Sequence, residues 1–134
     1  MIKPNDFGKA QQPRLVLVVE DHPEMAKGYS AMLACRGHSA IVACDGLEAV
    51  AIALEVLPDV VLCDLRLPCL DGFGVISALR KNPLTAEMPV CALTGHCYLE
   101  FRVREAGFNK LFVKPVSMDD LLEFVEGTCT VEID

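Results

Sequence analysis

Five short, mainly apolar runs punctuate the chain at residues 15–19 (LVLVV), 40–44 (AIVAC), 59–63 (DVVLC), 90–93 (VCAL) and 110–113 (KLFV), each about the length of a strand. Longer stretches with helical spacing lie between them. Over residues 46–57 the apolar positions Leu47, Val50, Leu54 and Leu57 recur at three- and four-residue intervals, and Asp45 with Glu48 forms a plausible N-terminal cap. Pro23 suits the first turn of a helix, Ser117 can cap the last helix and Gly127 can end it. The pattern predicts a strand–helix unit repeated five times. Strands that are apolar at nearly every position are buried on both faces, as in a parallel sheet covered by helices on each side. Right-handed crossovers then restrict the topology to a doubly wound α/β sandwich. Such a sandwich hosts many activities, so function has to be read from its site.

Residues 1–13 are polar and carry Pro4, Gly8 and Pro13, which marks an N-terminal extension, with the domain expected over 14–127 and a tail over 128–134. A chain of 134 residues can bury a core without disulfides or a structural metal. Lys+Arg 12 against Asp+Glu 19 gives a formal charge of -7, which argues against direct nucleic-acid binding and against adsorption to an anionic membrane. No stretch approaches the roughly 20 apolar residues of a spanning helix, and the opening lacks the apolar core of a signal peptide, so the expected compartment is the cytoplasm. The seven cysteines include no C-x-x-C pair, and they read as buried thiols rather than as bridges or zinc ligands.

In an open parallel sheet a ligand binds beyond the carboxyl ends of the strands, so the residues that close each run are the ones that can converge. Run 1 is followed by Glu20 and Asp21, run 3 by Asp64, run 4 by Thr94, and run 5 by Lys114 and Pro115. Each alone could be a cap or turn former, but together they bring acids, one hydroxyl and one ammonium to one edge. Clustered carboxylates find relief in raised pKa values or in a bound cation, and oxygen-only donors suit Mg²⁺. A carboxylate is also a competent nucleophile toward phosphorus, with Lys114 and Thr94 available to hold the remaining phosphoryl oxygens.

The segments VVEDHPEMAKGY (18–29), DVVLCDLRLPCLDGFGVI (59–76), CALTGH (91–96) and LFVKPVS (111–117) together resemble the receiver domain of bacterial-type response regulators, the CheY-like family, over about residues 14–127. That resemblance implies a flavodoxin-like strand order 2-1-3-4-5. It also implies that Asp64 is the phosphoacceptor, that Glu20, Asp21, Asp64 and the backbone carbonyl of Arg66 hold Mg²⁺, and that Thr94 and Lys114 engage the phosphoryl group. Pro68, Asp71 and Gly72 match the turn after the phosphoacceptor, and the Lys114–Pro115 bond is cis in similar domains. The expected phosphodonor is a histidine kinase or a histidine phosphotransfer protein, with a downstream effector or a homodimer as further partners. The chain would then catalyse only its own phosphorylation and dephosphorylation.

The resemblance has one departure. The family usually has an aromatic residue three positions before the lysine, which swings inward as the threonine is drawn to the phosphate; here Leu111 stands there, with Phe112 expected on the opposite face of the strand. A modest conformational change is the expectation. Arg66 and His96 lie two residues past Asp64 and Thr94, where side chains in similar domains border the path of the hydrolytic water. His22 and His38 attract no such expectation. The alternative reading is a phosphohydrolase of the haloacid-dehalogenase type, which also uses an aspartate nucleophile. That family places a second Asp two residues after the first, where this chain has Arg66.

Overall fold

A computed structural model of the chain describes residues 12–96 and 100–127. The extension 1–13, apart from its last two residues, and the tail 128–134 lie outside the described residues. The elements alternate as the pattern predicts: β1 (Leu15–Val19), α1 (Pro23–Cys35), β2 (Ser39–Ala43), α2 (Gly46–Val56), β3 (Val60–Asp64), α3 (Gly72–Lys81), β4 (Val90–Thr94), α4 (Glu100–Ala106), β5 (Lys110–Val113) and α5 (Met118–Gly127). The five strands form one parallel sheet in the order β2-β1-β3-β4-β5. Asp64 and Thr94 are the last residues of their strands rather than the first residues beyond them, because the ladder continues through the Asp64–Leu93 and Thr94–Val113 pairs.

Period-two alternation divides the core. Leu17, Val19, Val61 and Cys63 face the layer of α2, α3 and α4, whereas Val16, Val18, Val60 and Leu62 face α1 and α5. Each of these eight residues is at most 1% exposed, and burial of a side chain of this size contributes about 1.5–3 kcal/mol.

Local signals start the helices. Pro23 is the first residue of α1. Asp45 Oδ1 accepts from the Glu48 N–H at 2.8 Å while Glu48 Oε1 reaches back to the Cys44 N–H at 2.8 Å, a reciprocal cap for α2. Asp71 caps α3 through the Gly74 N–H, and Ser117 Oγ accepts from the Asp120 N–H at the start of α5. Gly127 is the last described residue of α5, so what it terminates falls outside the described residues.

Helix α2 departs from its periodicity. Leu47 and Leu57 are 60% and 45% exposed, and the buried face is instead Gly46, Ala49 and Ala53, with Val50 and Ile52 packed partly beside it. A side chain at Gly46 would collide with the backbone carbonyl of Leu70 in the loop after β3. The helix therefore turns its small residues inward to approach that loop and leaves leucines outside.

Two polar contacts tie distant segments together. The buried His38 ring accepts the Arg14 N–H at Nδ1 (3.0 Å), so Nε2 carries the hydrogen and donates to Glu126 at 3.0 Å. Glu126 also pairs with Arg36 at 2.9 Å, so this imidazole joins the start of β1 to the end of α5. On the other face Arg80 spreads its guanidinium over the carbonyls of Ala86, Met88 and Gly107 at 3.0, 2.7 and 2.8 Å and over the Asn109 side chain at 3.0 Å.

The cysteines divide by location. Cys63 and Cys91 are buried as expected, and burial, with Asp64 near Cys63, pushes both thiols far up from their ordinary value. Cys35, Cys44 and Cys69 are exposed, contrary to the buried reading, because each sits at a helix end or in a loop. All five are free thiols. A maleimide applied to the folded protein is therefore expected to label Cys35, Cys44 and Cys69 while sparing Cys63 and Cys91 until denaturant is added. Peptide mapping of the adducts checks this, and labelling of Cys63 at the rate of Cys69 would show that the β3 core opens readily.

Candidate functional site

The sheet register explains why the acids and the lysine meet. Val19 pairs with Cys63, so Glu20 and Asp64 emerge side by side at the carboxyl ends of β1 and β3. Val113 pairs with Thr94, so Lys114 begins its loop at the same edge. Its ammonium reaches across and donates to Asp64 Oδ2 at 3.0 Å and to Glu20 Oε1 at 3.1 Å. The Glu20 side chain is fully buried, and that of Asp64 is 7% exposed. The second Asp64 oxygen accepts from the Arg66 N–H at 3.1 Å, which orients the carboxylate from its own loop. Gly72 makes that loop possible: its N–H donates to the Leu65 carbonyl at 3.0 Å, and a Cβ there would come within 2.7 Å of the Asp64 carbonyl oxygen. The Lys114–Pro115 peptide is cis.

Burial by itself would lower the Lys114 pKa, but the hydrogen bonds and charges of Asp64 and Glu20 outweigh it and hold the ammonium above its ordinary value. The bridge therefore stabilises the fold fully below the unfolded lysine pKa, and its contribution is lost as pH rises through the higher folded value. Urea midpoints of wild type and Lys114→Met are expected to differ at neutral pH and to converge only in the alkaline range. Convergence below pH 9 would mean that the ammonium is not held as described.

Asp21 completes the acidic edge. Oxygens of Glu20 and Asp21 and a ring nitrogen of His22 all lie within 4.8 Å of one another. His22 Nδ1 stands 2.9 Å from Glu20 Oε2 and 3.4 Å from Asp21 Oδ1, and the hydrogen bond to Glu20 followed by the two acidic charges raises its pKa. The lysine ammonium pairs with Glu20 and Asp64 only, so with Asp21 beside them the edge keeps an excess of negative charge and of oxygen donors, which fits a hard divalent cation.

A cavity of about 350 Å³ opens over this edge, lined by Asp21, His22, Met25, Asp64, Arg66, Gly95, His96 and Lys114. Arg66 and His96 thus both border the carboxylate that sequence reasoning singled out. Thr94 is 1% exposed at the end of the neighbouring strand; its backbone carbonyl accepts the Lys114 N–H at 2.7 Å, but its hydroxyl accepts the His96 N–H at 3.1 Å and, among the described residues, that hydroxyl makes no hydrogen bond to Asp64 or Lys114. Two lining residues were not anticipated, His22 and Met25, whose sulfur lies 3.9 Å from Lys114 Nζ. The only sequence signal for His22 was its adjacency to the acidic pair, and for Met25 the spacing of one helical turn from Asp21. Leu111 packs into the layer of α2–α4 and Phe112 into that of α1 and α5, so the aromatic ring does face away from the expected switch position.

The response regulator receiver domain family model matches residues 16–126. Among curated proteins the chain is 30% identical over 114 residues to the DNA-binding dual master transcriptional regulator RpaA of Synechocystis, covering 84% of this chain and 47% of that protein. It is also 30% identical over 117 residues to the polar-differentiation response regulator DivK of Brucella anthropi, covering 86% and 95%. The chain thus spans about half the length of RpaA but nearly the whole of DivK. Among solved structures, the receiver domain of sensor histidine kinase PA1611 from Pseudomonas aeruginosa superposes with a TM-score of 0.79 at 30% identity, covering 87% of this chain and 97% of that one. That receiver is described with a magnesium ion coordinated in its active-site cleft. With this match across almost all of the described fold, the chain belongs to the response regulator receiver domain family and not to the aspartate-nucleophile phosphohydrolases.

Proposed function

We propose that Asp64 accepts a phosphoryl group from a phosphohistidine on a histidine kinase or a histidine phosphotransfer protein. The observation that carries this reading is the nearly buried Asp64 carboxylate, held between the Lys114 ammonium at 3.0 Å and the Arg66 N–H at 3.1 Å, with the cavity open above it. A carboxylate oxygen of Asp64 attacks phosphorus as the P–N bond breaks, and the imidazole leaves with the electron pair and takes up a proton. Lys114 holds positive charge where the phosphoryl oxygens arrive, and Thr94 offers a hydroxyl from the adjacent strand end. Glu20, Asp21, Asp64 and the backbone carbonyl of Arg66 would hold a magnesium ion, which when bound supplies further positive charge for the transferred group. Arg66 and His96 border the route of the water that later hydrolyses the acyl phosphate.

The setting is the cytoplasm, with a phosphohistidine protein upstream and an effector or a second copy downstream. The described residues include no helix long and apolar enough to cross a membrane, and the net charge of -7 disfavours nucleic acid. Intact-protein mass after incubation with a small phosphoramidate donor tests the reaction. One added phosphoryl group that depends on Mg²⁺ is expected, and steady release of free phosphate with turnover would overturn the receiver chemistry proposed for this site.

Leu111 bears on the output of the same site. A leucine lacks the flat ring that trades an inward for an outward rotamer, so phosphorylation is expected to cause only a modest change across the segment 97–116. Backbone chemical shifts with and without a phosphate mimic check this, and wide shifts across that segment would refute it.

A further inference from the structure

We infer that the outer face of α2 is a docking surface for a cationic amphipathic helix of a partner protein. Three of the seven large apolar residues exposed among those described, Leu47 (60%), Val56 (37%) and Leu57 (45%), belong to this one helix or directly follow it. Leu47, exposed Ala51 and half-buried Leu54 are spaced i, i+4, i+7 and form one stripe along the helix. Glu48 and Glu55 run beside that stripe, one residue further round at each end, and both are exposed. No Lys or Arg lies between Arg36 and Arg66, so the apolar stripe is bordered by acids alone along the chain.

This charge pattern selects the occupant. A second copy packed through α2 would set Glu48 and Glu55 against their own counterparts, like charge against like. An anionic membrane surface is repelled by the same acids. A partner helix that presents apolar residues at matching spacing, flanked by Lys or Arg, satisfies both components at once. The opposite, buried face of α2 packs on the loop that leaves the site described above. The Gly46 N–H approaches the Pro68 carbonyl at 3.4 Å, and Gly46 packs against Leu70 in the loop that leaves Asp64. Docking on the outer face leaves that loop contact in place, and it does not depend on phosphorylation.

The test uses the unphosphorylated full chain and a synthetic helical peptide with leucines at i, i+4 and i+7 and lysines beside them. The expected result is a saturable set of backbone amide shifts centred on residues 45–57, with affinity reduced at least about tenfold in the double variant Leu47→Glu, Ala51→Glu. Both positions are exposed, so the variant should keep its melting temperature. Serine in place of the peptide leucines, or glutamate in place of its lysines, should abolish the shifts. Equal binding of the serine peptide, shifts centred on α1 or α5, or unchanged affinity in the double variant would overturn the inference. So would α2 shifts that grow with protein concentration alone, which would assign the face to self-association.

Discussion

Asp64→Asn is expected to abolish phosphoryl uptake altogether, with no added mass at any donor concentration. The change is nearly isosteric, and the amide oxygen can still accept the Arg66 N–H, so the loop after β3 keeps its orientation. What disappears is the anionic nucleophile, since an uncharged carboxamide does not form an acyl phosphate under these conditions. Lys114→Met separates nucleophile from charge stabilisation. It leaves Asp64 in place but removes the ammonium that stands 3.0 Å from it, and a loss on the order of 10²-fold in phosphorylation rate is expected, comparable to removing one donor from an oxyanion site. Intact mass and rate measurements on the two variants therefore separate the roles. Residual labelling of Asp64→Asn would move the acceptor to another carboxylate, with Asp21 the nearest exposed candidate in the cavity.

Arg80→Ala is expected to be among the most destabilising single changes in the domain, costing about 3–5 kcal/mol. Arg80 projects from α3 and no carboxylate pairs with it among the described ion pairs; its partners are the carbonyls of Thr85, Ala86, Met88 and Gly107 and the Asn109 side chain. Burial lowers its pKa, with Glu87 acting weakly in the other direction, so the charge sits where solvent would not replace these contacts well. Asn109 in turn accepts the Val90 N–H at 2.8 Å, so the guanidinium, the start of β4 and the loop before β5 form one connected group. Truncation leaves several carbonyls without a donor at once. For a domain of this size the melting temperature should fall by roughly 10–15 °C. Arg80→Lys should recover only part of that loss, because one ammonium cannot span carbonyls on both loops. Thermal unfolding within 3 °C of wild type for Arg80→Ala would show that water replaces these donors.

Much of this molecule is legible in its sequence, and the reason is local. The strands of a doubly wound sheet are continuous apolar runs, so Val16–Val19, Val60–Cys63 and Val90–Leu93 declare themselves without knowledge of their neighbours. Caps act over three or four residues, so the Asp45–Glu48 pair, Pro23 and Ser117 were readable in the same way. The candidate site was legible for a topological reason: in a parallel sheet the residues that end the strands must share one edge. Glu20, Asp64 and Lys114 met there as expected.

Other features depended on partners far away in the chain. Which face of α2 is buried could not be read from periodicity, because the leucine stripe and the Gly46–Ala49–Ala53 stripe are both apolar; only the approach of the Leu70 loop selects the smaller residues. The exposed Cys44 and Cys69 and the buried His38 escaped for the same reason, since burial at a loop or strand start is decided by what packs across it. His38 meets Glu126 over 88 positions and Arg80 meets Gly107 over 27. The sequence by itself determined the order of strands and helices, their caps, and the set of acids, hydroxyl and lysine at the sheet edge, because those rest on hydrophobic period and on chain topology. Only the tertiary structure decided that Lys114 bridges Glu20 and Asp64, that Thr94 is engaged by His96, and that His22 and Met25 line the cavity, because hydrogen bonds and packing between distant segments depend on distances of a few ångströms that no local pattern encodes.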